Sequence, residues 1–213
     1  MERCFDIIHD VDVFVFYDEV QYVPRSWQNR NVIRTANGVQ WLTVPVSANR
    51  QTAIDEVIIA DDKWPHKHYN ALCANYSKTP YFAKYEDFLK NIYFERKWNK
   101  LSELNEFLLI EISKMLGIKT EFHNSREFES HGAKHKKLLS LLQSIGADYY
   151  LSGPAAKDYI IAEDYEQLGI ELVWKDYNGY PAYKQRFEPY ISEVSILDLL
   201  FNTGDDAPYW REK

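Results

Sequence analysis

Residues 147–174 read ADYYLSGPAAKDYIIAEDYEQLGIELVW. Ala147–Leu151 is a short run suited to a buried strand. A Ser152-Gly153-Pro154 turn follows, the spacing predicts a helix over Ala155–Gln167, and Gly169 stops it. Ile170–Trp174 is a second strand. Strand and helix alternating at such short intervals imply parallel strands joined by crossover helices.

The pattern extends outward from there. Upstream, Lys119–His123 is a strand and Ala133–Ile145 a helix, with Leu138, Leu141, Leu142 and Ile145 on its inner face. Val11–Tyr17, nearly continuous in apolar residues, reads as a strand buried on both faces. Val39–Val46, entered through Asn37-Gly38, and Asp55–Ala60 are further strands. Helices are expected from Pro65, with Tyr69, Leu72, Cys73 and Tyr76 as its apolar stripe, from Tyr81 into the nineties, and over Lys100–Leu116. Asn178–Tyr190 is an aromatic loop, and Ser195 caps a last helix to Asn202. The expected architecture is one α/β domain over residues 1–213. It has a mainly parallel, Rossmann-like sheet with flanking helices and a helical insertion at about residues 65–117.

Composition narrows the function. The 213 residues carry a net charge of -7, which argues against a nucleic-acid binder. Two cysteines, Cys4 and Cys73, with no leader-like opening predict free thiols in a reducing cytoplasm. No apolar run approaches the length of a membrane span. His66/His68 and His131/His135 lack the company that zinc requires, so no metal is assigned. Neither cysteine sits in a nucleophile signature, and Ser152 lacks the GxSxG elbow.

Chemistry concentrates at two places. Tyr17–Pro45, YDEVQYVPRSWQNRNVIRTANGVQWLTVP, gathers Asp18, Gln21, Arg25, Trp27, Asn29, Arg30 and Asn31 behind an apolar strand. Arginine offers a rigid fork of donors and amides both donate and accept, as a polar, oxygen-rich ligand demands. The plainer alternative is an irregular loop held by its own hydrogen bonds. The second place is Tyr149–Tyr159, where a strand gives way to a helix. Free N–H groups of Ser152 and Gly153, with Lys157 and Tyr159 nearby, suit an anion. Both places follow strands and are expected to share one edge and one cleft. Asp18 and Asp176 are the acid/base candidates by position. Asn202 and Asp198, on one face of the last helix, either touch ligand or cap neighbouring backbone.

Four blocks resemble the WbqC-like family: DVFVFYDEVQYVPRSWQNRNVI with QWLTVPV, WPHKHYNALCANYSKTPYF, GADYYLSGPAAKDYI, and SILDLLFN with Gly204. The resemblance runs from about Phe5 to Gly204. It implies a place in bacterial O-antigen or surface-polysaccharide clusters. The implied activity is acyl or aminoacyl-like transfer on a nucleotide-linked or amino sugar; nucleotidyl transfer is a further reading by analogy with the expected Rossmann-like topology alone. The resemblance also implies a QPxxLPxxGY-type opening before Phe5, which this sequence lacks. A non-catalytic carbohydrate-binding or assembly protein is the competing reading, with Tyr177, Tyr180, Tyr183 and Phe187 stacking on sugar rings. The resemblance implies a small-molecule sugar or nucleotide sugar as the partner; no cofactor and no oligomeric state is assigned.

Overall fold

The computed structural model describes residues 2–49, 51–158 and 160–209. In chain order its helices and strands are α1 (Glu2–His9), β1 (Val13–Phe16), β2 (Arg30–Thr35), β3 (Gly38–Thr43), β4 (Val46–Ser47), β5 (Ile58–Ile59), α2 (Trp64–Tyr76), α3 (Glu86–Lys90), α4 (Leu101–Met115), β6 (Glu121–Asn124), α5 (His135–Ile145), β7 (Tyr149–Ser152), α6 (Ala162–Glu166), β8 (Glu171–Trp174) and α7 (Ile196–Thr203). The architecture is mixed α/β. Among the described residues the strands form four two-stranded pairs. β1–β6 and β7–β8 are parallel, and β2–β3 and β4–β5 antiparallel. The pairings are thus evenly divided, and none extends beyond two strands.

The chain packs as two compact units. The first comprises Asp18–Ile118 and the chain from Gly179 on; the second comprises Arg3–Tyr17 and Lys119–Asn178. The antiparallel pairs belong to the first and the parallel pairs to the second. In the first, Tyr22, Val44, Ile54, Val57, Trp64, Ile92, Leu101 and Leu104 close one core. Phe201 of α7 brings its ring to Tyr76, Phe82 and Tyr85, at 5.1, 5.2 and 6.0 Å between centroids. In the second, Leu142, Tyr165 and Ile170 are buried together, and Tyr150 stacks on Tyr165 at 5.6 Å.

Several local expectations are corrected. The helix over Ala155–Gln167 is two pieces: a 3-10 segment, Pro154–Asp158, and α6. Ile161, extended at φ -102° and ψ 107°, separates them. The adjacent β-branched Ile160 and Ile161 resist continuous helix. Asp55–Ala60 is a 3-10 turn, Ile54–Glu56, then the two residues of β5. The helix from Tyr81 is a 3-10 turn, α3 and a π turn in series. Arg30 and Asn31, which the sequence reading assigned to no strand, open β2. Its hairpin partner β3 ends before Pro45; the turn between them is Ala36-Asn37, one residue earlier than the expected Asn37-Gly38, and Gly38 pairs with Thr35 as the first residue of β3.

The stripe of α2 is also displaced. Trp64, His68, Leu72 and Tyr76 are buried, so the inner face runs through His68 rather than Tyr69. His68 Nε2 lies 3.0 Å from the Thr43 carbonyl oxygen, to which it donates in the neutral ring. Burial holds its pKa below the ordinary value of 6.5, opposed by that backbone bond. On acidification the unfolded chain therefore binds this proton before the folded one does. Stability from His68 is complete above about pH 6.5 and is lost as pH falls through the lower folded value. The melting temperature should drop over that range in the parent, and less in His68→Gln; identical slopes would remove His68 as the cause.

Candidate functional site

The loop before β2 is held largely by its own amides. Gln28 Oε1 accepts from the Val23 N–H at 3.3 Å and from the Ser26 hydroxyl at 3.2 Å, while the Gln28 carbonyl accepts from Asn105 Nδ2 of α4 at 2.9 Å. Asn29 is buried; its Nδ2 donates to the Val44 carbonyl at 3.1 Å. Asn31 Oδ1 accepts from Val32 N–H at 2.8 Å. These three side chains serve loop architecture, as the plainer alternative would have it. Gln21 is exposed and joins Ala53 through a backbone bridge.

Arg25 of the loop and Arg30 at the start of β2 behave otherwise. Arg25 is exposed and sits at φ 58°, a left-handed conformation that costs a non-glycine residue on the order of 1–2 kcal/mol. Arg30 lays its guanidinium carbon 4.3 Å from the ring centre of Trp41, and its Nε is buried without an acceptor. Trp27 packs against Trp41 at 5.4 Å. Arg34, four residues further along β2, is the contrast at its terminal nitrogens, although its Nε too is buried without an acceptor. It is 1% exposed and donates to the Thr35, Gly38 and Pro189 carbonyls. Arg34 is spent on structure.

Asp18 stands at the head of the same loop. Its carbonyl accepts from Asp55 N–H at 3.0 Å, and the Val20 carbonyl accepts from Ile54 N–H at 2.9 Å, so residues 18–22 run along 52–55. Its carboxyl meets Glu106 of α4. Burial, then the charge and hydrogen bond of Asp18, then Glu103, push the Glu106 pKa above the usual carboxylate value. Burial and the neighbouring carboxyl both favour the protonated form of Glu106. Sequence reasoning found Asp18 and missed Glu106, whose position on α4 carries no local signal. Tyr22, buried between core and loop, feels the positive charge of Arg30, which opposes the upward push of burial on its hydroxyl.

In the second unit, Ser152 is buried at the end of β7 and its carbonyl accepts from Lys175 N–H at 2.8 Å. Gly153 lies close beneath Tyr177: a Cβ there would stand 3.4 Å from the phenol oxygen. Lys157 is exposed with its ammonium 5.4 Å from the ring centre of Trp174. The 3-10 turn that follows Ser152 lacks the aligned dipoles of a full helix, so the anion attraction expected there loses its main source. Tyr159 lies outside the described residues. Asp176 is exposed and its Oδ1 accepts from the backbone and side-chain nitrogens of Asn178, at 3.0 and 2.7 Å. A buried ion group goes unannounced by the sequence: Lys175 Nζ sits 2.8 Å from Asp6 of α1 and also pairs with Asp10. The Arg30 loop belongs to the first unit and the Ser152 turn to the second.

On α7, Asn202 Nδ2 donates to the Asp198 carbonyl at 2.7 Å, a bond within the helix. Asp198 is buried and accepts from the Tyr183 hydroxyl at 2.8 Å and Gln185 Nε2 at 2.9 Å. Burial raises its pKa against those bonds. The aromatic loop is thereby fastened: Tyr183 is tied to Asp198, and Phe187 lies beside Arg34 and Arg186.

No described helix is long and apolar enough to cross a membrane. No solved structure matches the chain. It is 43% identical over 206 residues to Uncharacterized protein Rv1507c of Mycobacterium tuberculosis (strain ATCC 25618 / H37Rv), covering 96% of this chain and 89% of that one. The family model described as the WbqC-like protein family matches residues 4–209, through the Asp18 loop, the Ser152 turn and α7 alike. The chain belongs to the WbqC-like protein family.

Proposed function

We propose that this protein is a cytoplasmic transferase acting on a nucleotide-linked or amino sugar in O-antigen or surface-polysaccharide assembly. The observation that carries the reading is the Asp18–Glu106 pair. A carboxyl raised by burial and a carboxylate neighbour can take a proton from an attacking amine or hydroxyl, and return it to the leaving group. Arg30 and Arg25 supply donors for an anionic substrate, and Asn29 and Asn31 shape the loop that presents them. An acyl or aminoacyl transfer to a sugar amine uses these groups most directly. The Ser152-Gly153 turn, with Lys157, is the proposed phosphate contact of the second unit. A Rossmann-like origin for that unit is supported by its two parallel pairs and by the helices α5 and α6 between strands. Residues 1–213 are taken as one family domain with a helical insertion at about 65–117, a reading supported by the span of the family match.

A screen by thermal shift should find stabilisation by nucleotides or sugar nucleotides; stabilisation by free sugars alone favours the non-catalytic carbohydrate-binding reading. With the best sugar nucleotide and acyl donors, Glu106→Gln should lower turnover by about a hundredfold or more with little change in KM. The acidic limb of the parent's rate profile should lie above the ordinary carboxylate value of 4.5, because Glu106 is raised and the pair works singly protonated. Full activity in Glu106→Gln would remove the pair from the chemistry.

A further inference from the structure

We propose that Trp27, Trp41 and Arg30 form a recognition platform for a pyranose ring that carries an anionic group, phosphate or carboxylate. The inference rests on the sugar-substrate reading above and names the chemistry of the sugar.

The rings come first. Trp27 and Trp41 are 60% and 46% exposed, with centroids 5.4 Å apart and planes 36° from parallel. Two adjacent indoles left in water have no role in the core of the first unit. Their flat, apolar faces match the C–H face of a sugar ring. Trp41 and Val39 stand two apart on β3, and both are exposed.

Charge then selects among sugars. Among the described residues, no hydrogen bond or ion pair joins the Arg30 guanidinium to another side chain or carbonyl. Its guanidinium carbon lies over the Trp41 ring at 4.3 Å, a cation–π contact that uses none of its terminal N–H donors. Arg34, in the same hairpin, shows what a structural arginine looks like here, with three carbonyls on its donors. In a chain of net charge -7 such an unspent cation beside two bare indoles fits a ligand that brings both a ring and a negative group.

The test titrates nitrogen-labelled protein with glucose 1-phosphate, glucuronate, glucose and inorganic phosphate, following the indole N–H signals and measuring affinity by calorimetry. At least one of the two anionic sugars should shift the Trp27 and Trp41 signals, and the arm that binds identifies phosphate or carboxylate. Neutral glucose and inorganic phosphate should each bind at least about tenfold more weakly than that sugar. Trp27→Ala and Arg30→Lys should each lose about tenfold or more in affinity while melting with the parent, since Trp27 is exposed and Arg30 is outside the core. Silence of both indoles toward both anionic sugars overturns the proposal, as does full affinity in Trp27→Ala. A concentration-dependent dimer that Trp27→Ala dissolves also overturns it, by assigning the patch to a second copy of the chain. Stabilisation by sugar nucleotides with silent indoles sinks the platform and spares the transferase. Platform binding together with full activity in Glu106→Gln sinks the acid/base reading and spares the platform.

Discussion

Gly204→Ala is expected to destabilise the first unit by about 3 kcal/mol or more, the sum of overpacking and backbone strain. Gly204 ends α7 at φ +57°, and a Cβ built there would stand 2.2 Å from Cδ1 of Tyr81, 2.4 Å from Cγ and 2.5 Å from Cε1. No real contact is that short, so the ring or the helix end must move. Neither is at liberty to do so. The Tyr81 N–H donates to the Phe201 carbonyl at 3.1 Å, and the Tyr85 hydroxyl donates to the Gly204 carbonyl at 3.3 Å. Displacement here also disturbs Phe201, which is wholly buried among three aromatic rings. A fall in melting temperature on the order of 10 °C is the expected reading. A variant melting within a degree or two of the parent would show that the Tyr81 ring yields freely.

Lys175→Met should cost about 3–5 kcal/mol, the usual penalty for leaving a buried charge unpaired. Asp6 is fully buried and the Lys175 side chain is 8% exposed, so water cannot replace the lost ammonium. Adding Asp6→Leu in the same chain should recover much of the loss, since a packed apolar pair often matches a buried ion pair. Urea denaturation of the parent, the single variant and the double variant separates the two effects. Equal losses in single and double variants would mean that the aliphatic stem of Lys175, not its charge, holds α1 to β8.

How far the sequence disclosed these features follows from their range. Helices with strong periodicity, α4, α5 and α7, were legible with bounds close to those found, and Ser195 caps α7 through Leu197 N–H as expected. β7 and β8 were legible from their apolar runs, and Gly204 came with the family resemblance. α1 was not, because Phe5 and Ile8 flank an aspartate that reads as solvent-facing yet is fully buried on Lys175. β2 was missed for the same reason: Arg34 looks like loop chemistry and is core. Within the candidate site, Asp18, Arg30 and Trp27 were singled out by local crowding. Glu106 and Trp41 become visible only when α4 and β3 are brought against the loop, a contact between distant positions that no spacing rule encodes.

Both units are assembled from separated stretches of chain, and this has a consequence for biosynthesis. The α1–β1 segment emerges from the ribosome long before β6, its hydrogen-bonded neighbour, and before Lys175, which neutralises Asp6. The helices of the first unit likewise wait for α7, made after the whole second unit has been translated, to supply Phe201 and close their aromatic cluster. Nascent chains therefore pass through a long interval with apolar faces of both units open, the interval in which holdase chaperones engage and aggregation competes. Yield in a host cell should accordingly respond to translation speed and chaperone supply more than the stability of the finished fold would suggest.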